Sequence, residues 1–166
     1  MQDNDKKKRD PVCEMWVDSE DCVFDYLGIR YAFCSLQCRE RFIANPHLYI
    51  GTPGKQAPKQ HGTEIIKQRV LKLNEQLTDE QADMLCTEIA KMMGIKNIAI
   101  KEDRINITYD LMQATVEQVE RNIVQAGETL GAGWGEKMKR AFIHYLEETE
   151  LDNLEQQPSS HEHGCH

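Results

Sequence analysis

Three cysteines carry the strongest chemical signal in this chain. Cys13 sits in Asp10-Pro11-Val12-Cys13, and Cys34 and Cys38 sit in Tyr31-Ala32-Phe33-Cys34-Ser35-Leu36-Gln37-Cys38, a C-x20-C-x3-C spacing. Soft thiolates gathered in this way suit Zn, with Cu(I) or Fe as the alternatives. A separation of four residues places Cys34 and Cys38 one helical turn apart, so both sulfurs can face one point. The N-terminus of that helix favours the thiolate form at Cys34. Cys13 must then arrive from a preceding loop. Three thiolates leave one corner of a tetrahedron, which falls to Cys22, Asp10, Glu14 or His47, to water, or to a ligand from a partner. The competing reading of the three cysteines is a small reduced or disulfide-linked core. Cys22 reads first as an exposed loop thiol, Met15 as packing and His47, after Pro46, as a cap or surface residue. The tail adds His161, His163, Cys165 and His166, a chelating set or simply a solvated end. No Ser-His-Asp set, phosphate loop or paired-carboxylate motif is evident, so no catalytic residue is expected.

These donors must be held by a chain of 166 residues, enough for one average domain or two small ones. With 40% hydrophobic and 29% charged residues the composition is that of an ordinary soluble protein. No apolar run nears the ~20 residues of a membrane-spanning helix. The basic start, Lys6 to Arg9, has no apolar segment after it, so no secretory signal is expected, and the cytoplasm is the expected compartment. Thiols stay reduced there, and spaced cysteines read as metal ligands before disulfides. Net charge is −8, and residues 63–166 carry 11 basic against 19 acidic side chains, which argues against nucleic-acid binding. The run Lys6 to Arg9 reads as a solvated, flexible arm.

Composition changes across residues 51–62, a Gly- and Pro-containing stretch without large apolar residues that reads as a linker. Before it, residues 10–50 form a cysteine-bearing unit too small to bury much core without a staple such as a metal. Gly28 predicts a hairpin between Phe24-Asp25-Tyr26 and Ile29 to Phe33, with Cys34 at its end. After it, residues 63–151 read as an α/β unit. Ile65 to Leu73 predicts a strand. Thr78 with Gln81 predicts a capping box opening a helix with an apolar stripe of Ala82, Leu85, Cys86, Ile89, Ala90 and Met93, ended by Gly94. Cys86 on that stripe reads as a small buried hydrophobe. Alternation at Ile98, Ile100, Ile105 and Ile107 predicts a hairpin turning at Glu102-Asp103, with Ile98 opposite Ile107 and Ile100 opposite Ile105. Thr115 with Gln118 caps a further helix carrying Val116, Val119 and Ile123 and stopping at Gly127. The order β-α-β-β-α is a split βαβ pattern whose fourth strand is missing. Lys137 to Leu151 predicts a last helix with Met138, Ala141, Phe142, Tyr145 and Leu146 on one side. Residues 152–166 form a flexible His/Cys tail. The fold class is α+β.

Residues 10–50 resemble a YHS domain, a treble-clef-like metal-binding module grouped with TRASH domains. The likeness rests on Asp10-Pro11-Val12-Cys13, on Tyr31 to Cys38, on Arg41-Phe42 and on Asn45-Pro46-His47-Leu48-Tyr49. It implies metal handling, since such modules accompany heavy-metal transporters, metal sensors and some monooxygenases. The family usually has Gly after its first cysteine, where this chain has Glu14. Residues 63–127 are similar to a heavy-metal-associated domain, the ferredoxin-like fold of copper chaperones, in element order and in Gly94-Ile95-Lys96-Asn97-Ile98. The C-x-x-C of that family is absent: its positions fall near Thr78 and Gln81, which cannot hold a soft metal.

These readings converge on a cytoplasmic metal-binding accessory protein, a carrier, chaperone or sensor. Its partners would be the metal ion and a protein such as a metal transporter or metalloenzyme. The alternative is an interaction or regulatory module in which Zn only folds residues 10–50. The last helix starts with Lys137, Lys139 and Arg140 and ends with Glu147, Glu148 and Glu150, against its own dipole. That charge order suits an antiparallel homodimer, or a slightly frayed monomer helix.

Overall fold

In the computed structural model, which describes residues 7–18, 20, 22–128 and 130–157, the chain begins with two short antiparallel strands, β1 (Lys7–Arg9) and β2 (Trp16–Asp18). The basic run is thus not a free arm over Lys7–Arg9. Its backbone pairs Lys8 with Val17, and Lys8 Nζ donates to the Arg30 carbonyl at 2.7 Å. Backbone pairing needs no apolar side chains, which is why consecutive lysines gave no strand signal.

β3 (Val23–Tyr26) and β4 (Ile29–Ala32) follow as the hairpin expected around Gly28. Leu27 and Gly28 both take positive φ, 50° and 78°, as a two-residue type I′ turn demands. α1 (Leu36–Ala44) starts at Ser35, whose hydroxyl accepts from Cys38 N, and α2 (His47–Ile50) closes the unit. Phe42 is wholly buried at the centre of an aromatic cluster, with Tyr31, Phe33, Tyr26, Tyr49 and Phe24 ring centroids 4.8–6.4 Å away. Residues 51–62 contain a turn at Thr52–Lys55 and a single 3-10 turn, Lys59–His61.

The second half comprises β5 (Ile66–Lys72), α3 (Asp79–Ala90), β6 (Ile95–Lys101), β7 (Arg104–Asp110), α4 (Val116–Gln125) and α5 (Trp134–Gln156). Its sheet has the order β5-β7-β6, all antiparallel. Ile98 faces Ile107 and Ile100 faces Ile105, the register that one apolar face requires. Both capping boxes form in full. Gly94, at φ 85°, has no room for a side chain, because a Cβ there would lie 2.7 Å from Gln113 Cβ. The fourth strand of a split βαβ fold is reduced to one antiparallel bridge, Leu73 with Leu130, beside β5. The architecture is α+β: a treble-clef-like unit of loop, hairpin and helix, then a ferredoxin-like sheet with an extra C-terminal helix.

α5 differs from expectation in both length and orientation. Phe142, Tyr145 and Leu146 are exposed, and Ala141 with them; the Met138 side chain lies outside the described set. Arg140, His144, Glu147, Leu151 and Leu154 face inward instead, at spacings of four and three. Glu147 is buried: it accepts from Tyr109 Oη and from Val116 N (2.9 Å) and lies 3.4 Å from Arg69. Burial, and then the Glu147 charge, raises the Tyr109 hydroxyl, which keeps it a donor. A polar stripe satisfied in this way can occupy a core face that apolar residues would ordinarily fill.

The halves share one core. Tyr49 Oη donates to the Met112 carbonyl at 2.6 Å, Asn45 Nδ2 donates to Asp152 and Glu155, and His47 N donates to Glu155 at 2.8 Å. Gln37, between two of the cysteines, donates to the Met93 and Gln113 carbonyls and accepts from Met93 N. The start of α1 is therefore tied to the loops of the ferredoxin-like sheet. Among the described residues no helix is long and apolar enough to cross a membrane.

Candidate metal centre

The loop between β1 and β2 carries Cys13, and the joint between β4 and α1 carries Cys34. Asp10, wholly buried, ties the two together. Its Oδ1 accepts from Val12 N (2.8 Å) and Cys13 N (3.3 Å), and its Oδ2 accepts from Cys34 N (2.8 Å). Asp10 N in turn donates to the Met15 carbonyl, and Glu14 N to the Asp10 carbonyl. Cys38 comes from the first turn of α1 and is fully buried against the aromatic cluster.

Cys34 Sγ lies 3.5 Å from Cys13 Sγ and 3.5 Å from Cys38 Sγ. The Asp10 carboxylate and the three sulfurs all fall within 4.8 Å of one another. A tetrahedral centre with metal–sulfur bonds of ~2.3 Å requires sulfurs about 3.8 Å apart. The donor set therefore fits a metal ion after shifts of a few tenths of an ångström. All three thiols are free. Hydrogen bonding with Cys13 and Cys38 lowers the Cys34 thiol, while sharing among the three sulfurs raises Cys13 and Cys38. Burial raises the Asp10 carboxyl, and the N–H groups of Cys34 and Val12 partly offset this.

The other candidates lie elsewhere. Cys22 is half-buried at φ 23°, outside the cluster, and its carbonyl accepts from Phe33 N. The His47 ring pairs with the Gly51 carbonyl (2.7 Å) and the Tyr26 hydroxyl (3.4 Å). Glu14 faces Arg9 at 3.2 Å. Cys86 is half-buried on α3, its thiol raised by desolvation. His161, His163, Cys165 and His166 lie outside the described residues.

Glu14 sits at φ 66°. This left-handed conformation explains why glycine suits the position after the first cysteine. The exposed Arg9 pair contributes little in return, both side chains being half in water or more. Glu14→Gly is expected to stabilise the chain by about 1 kcal/mol, read as a rise in thermal midpoint. No rise would mean that the Arg9 contact matters more than the backbone.

One wall of the cluster is open. Cys34 lines a groove of about 580 Å³ together with Met15, Leu36, Met92, Met93 and Gln37. Met15 is half-exposed there rather than packed in the core. The place of Met92 and Met93 in this groove was not apparent from sequence, since both lie far along the chain and the Gln37 clamp to the Met93 backbone is what sets them beside the start of α1.

No protein-family model matches the chain. No curated protein sequence matches it. Among solved structures, the CsoZ metallochaperone aligns over 40% of this chain and 99% of its own, at 22% identity and a TM-score of 0.38. Oxidized MerP from Ralstonia metallidurans CH34 aligns over 40% of this chain and 96% of its own, at 13% identity and a TM-score of 0.38. What remains decisive for the site is its own donor set, three free thiols and a carboxylate close enough to share one ion.

Proposed function

We propose that this protein is a non-enzymatic metal carrier of the cytoplasm that binds one ion through Cys13, Cys34 and Cys38 and passes it to a protein partner. The ion would be Zn, or else Cu(I) or Fe, and the partner a metal transporter or metalloenzyme. The observation that carries this reading is the double position of Cys34. It is 3.5 Å from both other thiols, yet it also lines the open groove. An incoming thiolate has a route to the ion before a resident one leaves, so transfer avoids free metal.

A structural-zinc module is the second reading. It is favoured by Asp10, whose carboxylate is close enough to act as fourth donor and close the set. Both Asp10 oxygens already accept backbone N–H groups, which favours a positioning role instead. Stopped-flow removal of the ion by a thiol chelator separates the two. A carrier releases its ion within minutes and faster than the chain unfolds, whereas release only at the unfolding rate establishes the structural reading. Cys22→Ser should leave the release rate unchanged.

A further inference from the structure

Three thiols supply three of the four ligands of a tetrahedral ion. Asp10 lies beside them, but both of its oxygens already accept backbone N–H groups. Residues 158–166 carry four further donors: His161, His163, Cys165 and His166. The place where this segment starts is fixed. Asn45, the C-cap of α1, donates to Asp152 and Glu155 of α5, and Lys55 Nζ donates to the Gln157 carbonyl. The last turns of α5 therefore sit at the C-terminal end of α1, while Cys34 precedes its N-terminal end.

Length and charge then select a donor. α1 has nine residues and is about 14 Å long. His161, four residues beyond Gln157, reaches about 14 Å in extended chain, the length of the helix alone. Cys165, eight residues beyond, reaches about 28 Å, which spans the helix and leaves room for the turn at its end. A cleft of about 400 Å³ beside Arg41, Asn45 and Asp152 also takes in Glu40, Gln118 and Arg121, and these last three line the groove at Cys34 as well. The two depressions meet there and together follow α1. Arg41 is buried in the wall of the cleft; its Nη2 donates to Asn45 at 3.3 Å, and its Nε has no partner among the described residues. Glu162 stands three residues before Cys165, about 10 Å of extended chain, and Arg41 seven residues after Cys34, about 10 Å along a helix. A segment antiparallel to α1 with Cys165 at the ion thus brings the Glu162 carboxylate to this guanidinium.

We propose that residues 158–166 fold back along α1 and that the Cys165 thiolate is the fourth ligand of the ion held by Cys13, Cys34 and Cys38, its proton passing to water on binding. The inference rests on the carrier reading and adds to it the ligand that leaves. Cys13, Cys34 and Cys38 are fixed by the fold, through Asp10 and α1. Cys165 is tied to the site only by the ion and the Glu162 contact. It is therefore the thiolate that a partner's thiolate displaces.

Co(II) titrated anaerobically into the full chain reads the ligands optically, through its ligand-field bands and the intensity of its thiolate charge-transfer bands. The parent should show four thiolates in dilute and concentrated protein alike. Cys165→Ser should show three and bind at least about tenfold more weakly, the cost of closing the segment offsetting part of the ligand's contribution. Glu162→Gln should keep four and bind about threefold more weakly, as a solvent-screened ion pair allows. A parent with three thiolates, a Cys165→Ser chain indistinguishable from the parent, or four thiolates only in concentrated protein (a donor from a second copy) overturns the proposal and leaves the three-cysteine carrier intact. Unchanged affinity in Glu162→Gln overturns the path along α1. A parent without thiolate bands overturns the carrier reading, and this inference with it.

Discussion

With Cys34 replaced by serine, the chain is expected to lose tight metal binding. Cys34 is the shared neighbour in the cluster, 3.5 Å from each of the other sulfurs, and hydrogen bonding with both lowers its thiol. A serine hydroxyl stays protonated at neutral pH and is a poor ligand for a soft ion. Apparent binding energies of structural Zn sites, ~10–16 kcal/mol over four ligands, assign about 3 kcal/mol to each. The expected loss is therefore at least about 100-fold in affinity, measured by competition with a chromophoric chelator. Cys86→Ser provides the control, since Cys86 lies outside the cluster, on α3. Equal affinity in Cys34→Ser and the parent would remove the three-thiolate site.

Phe42→Ala should destabilise the chain by about 3–5 kcal/mol, a large part of the stability of an ordinary domain. Phe42 is fully buried and touches aromatic rings from β3, β4 and α2 as well as the chain just before Cys34. Its loss leaves a cavity beside Cys38, the fully buried ligand, so affinity for metal should fall with stability. Phe42→Leu keeps most of the volume and should recover most of both. Denaturant unfolding gives the first quantity and chelator competition the second. A cost below about 1 kcal/mol would mean that the cluster collapses onto the cavity and that the cysteines do not depend on it.

The parts of this fold that were legible beforehand are those fixed by neighbours in sequence. Thr78 with Gln81 and Thr115 with Gln118 are local devices, and both formed as boxes. The Ile98–Ile107 register followed from a two-residue period that only one turn position satisfies. Cys34 and Cys38 were legible for the same reason, being one helical turn apart. Elements set by distant contacts were hidden. Lys7–Arg9 is a strand because Trp16–Asp18 lies beside it, not because lysine prefers that state. α5 was turned the wrong way because an apolar stripe ordinarily faces the core, and nothing local indicates that Tyr109, Arg69 and Glu120 await a polar one. At the site, Asp10 stood out as a carboxylate near a cysteine. Its three N–H partners, which let it join two distant loops, required the fold itself.

The central claim is that Cys13, Cys34 and Cys38 hold one metal ion. Elemental analysis of the native protein, purified without added metal or chelator and paired with native mass spectrometry, tests it most directly. The account predicts one soft or borderline transition-metal ion per chain, absent from Cys34→Ser prepared in parallel. A parent protein that is metal-free and stays so after anaerobic titration with Zn, Cu(I) and Fe(II), or that carries its ion equally well without Cys34, would contradict it.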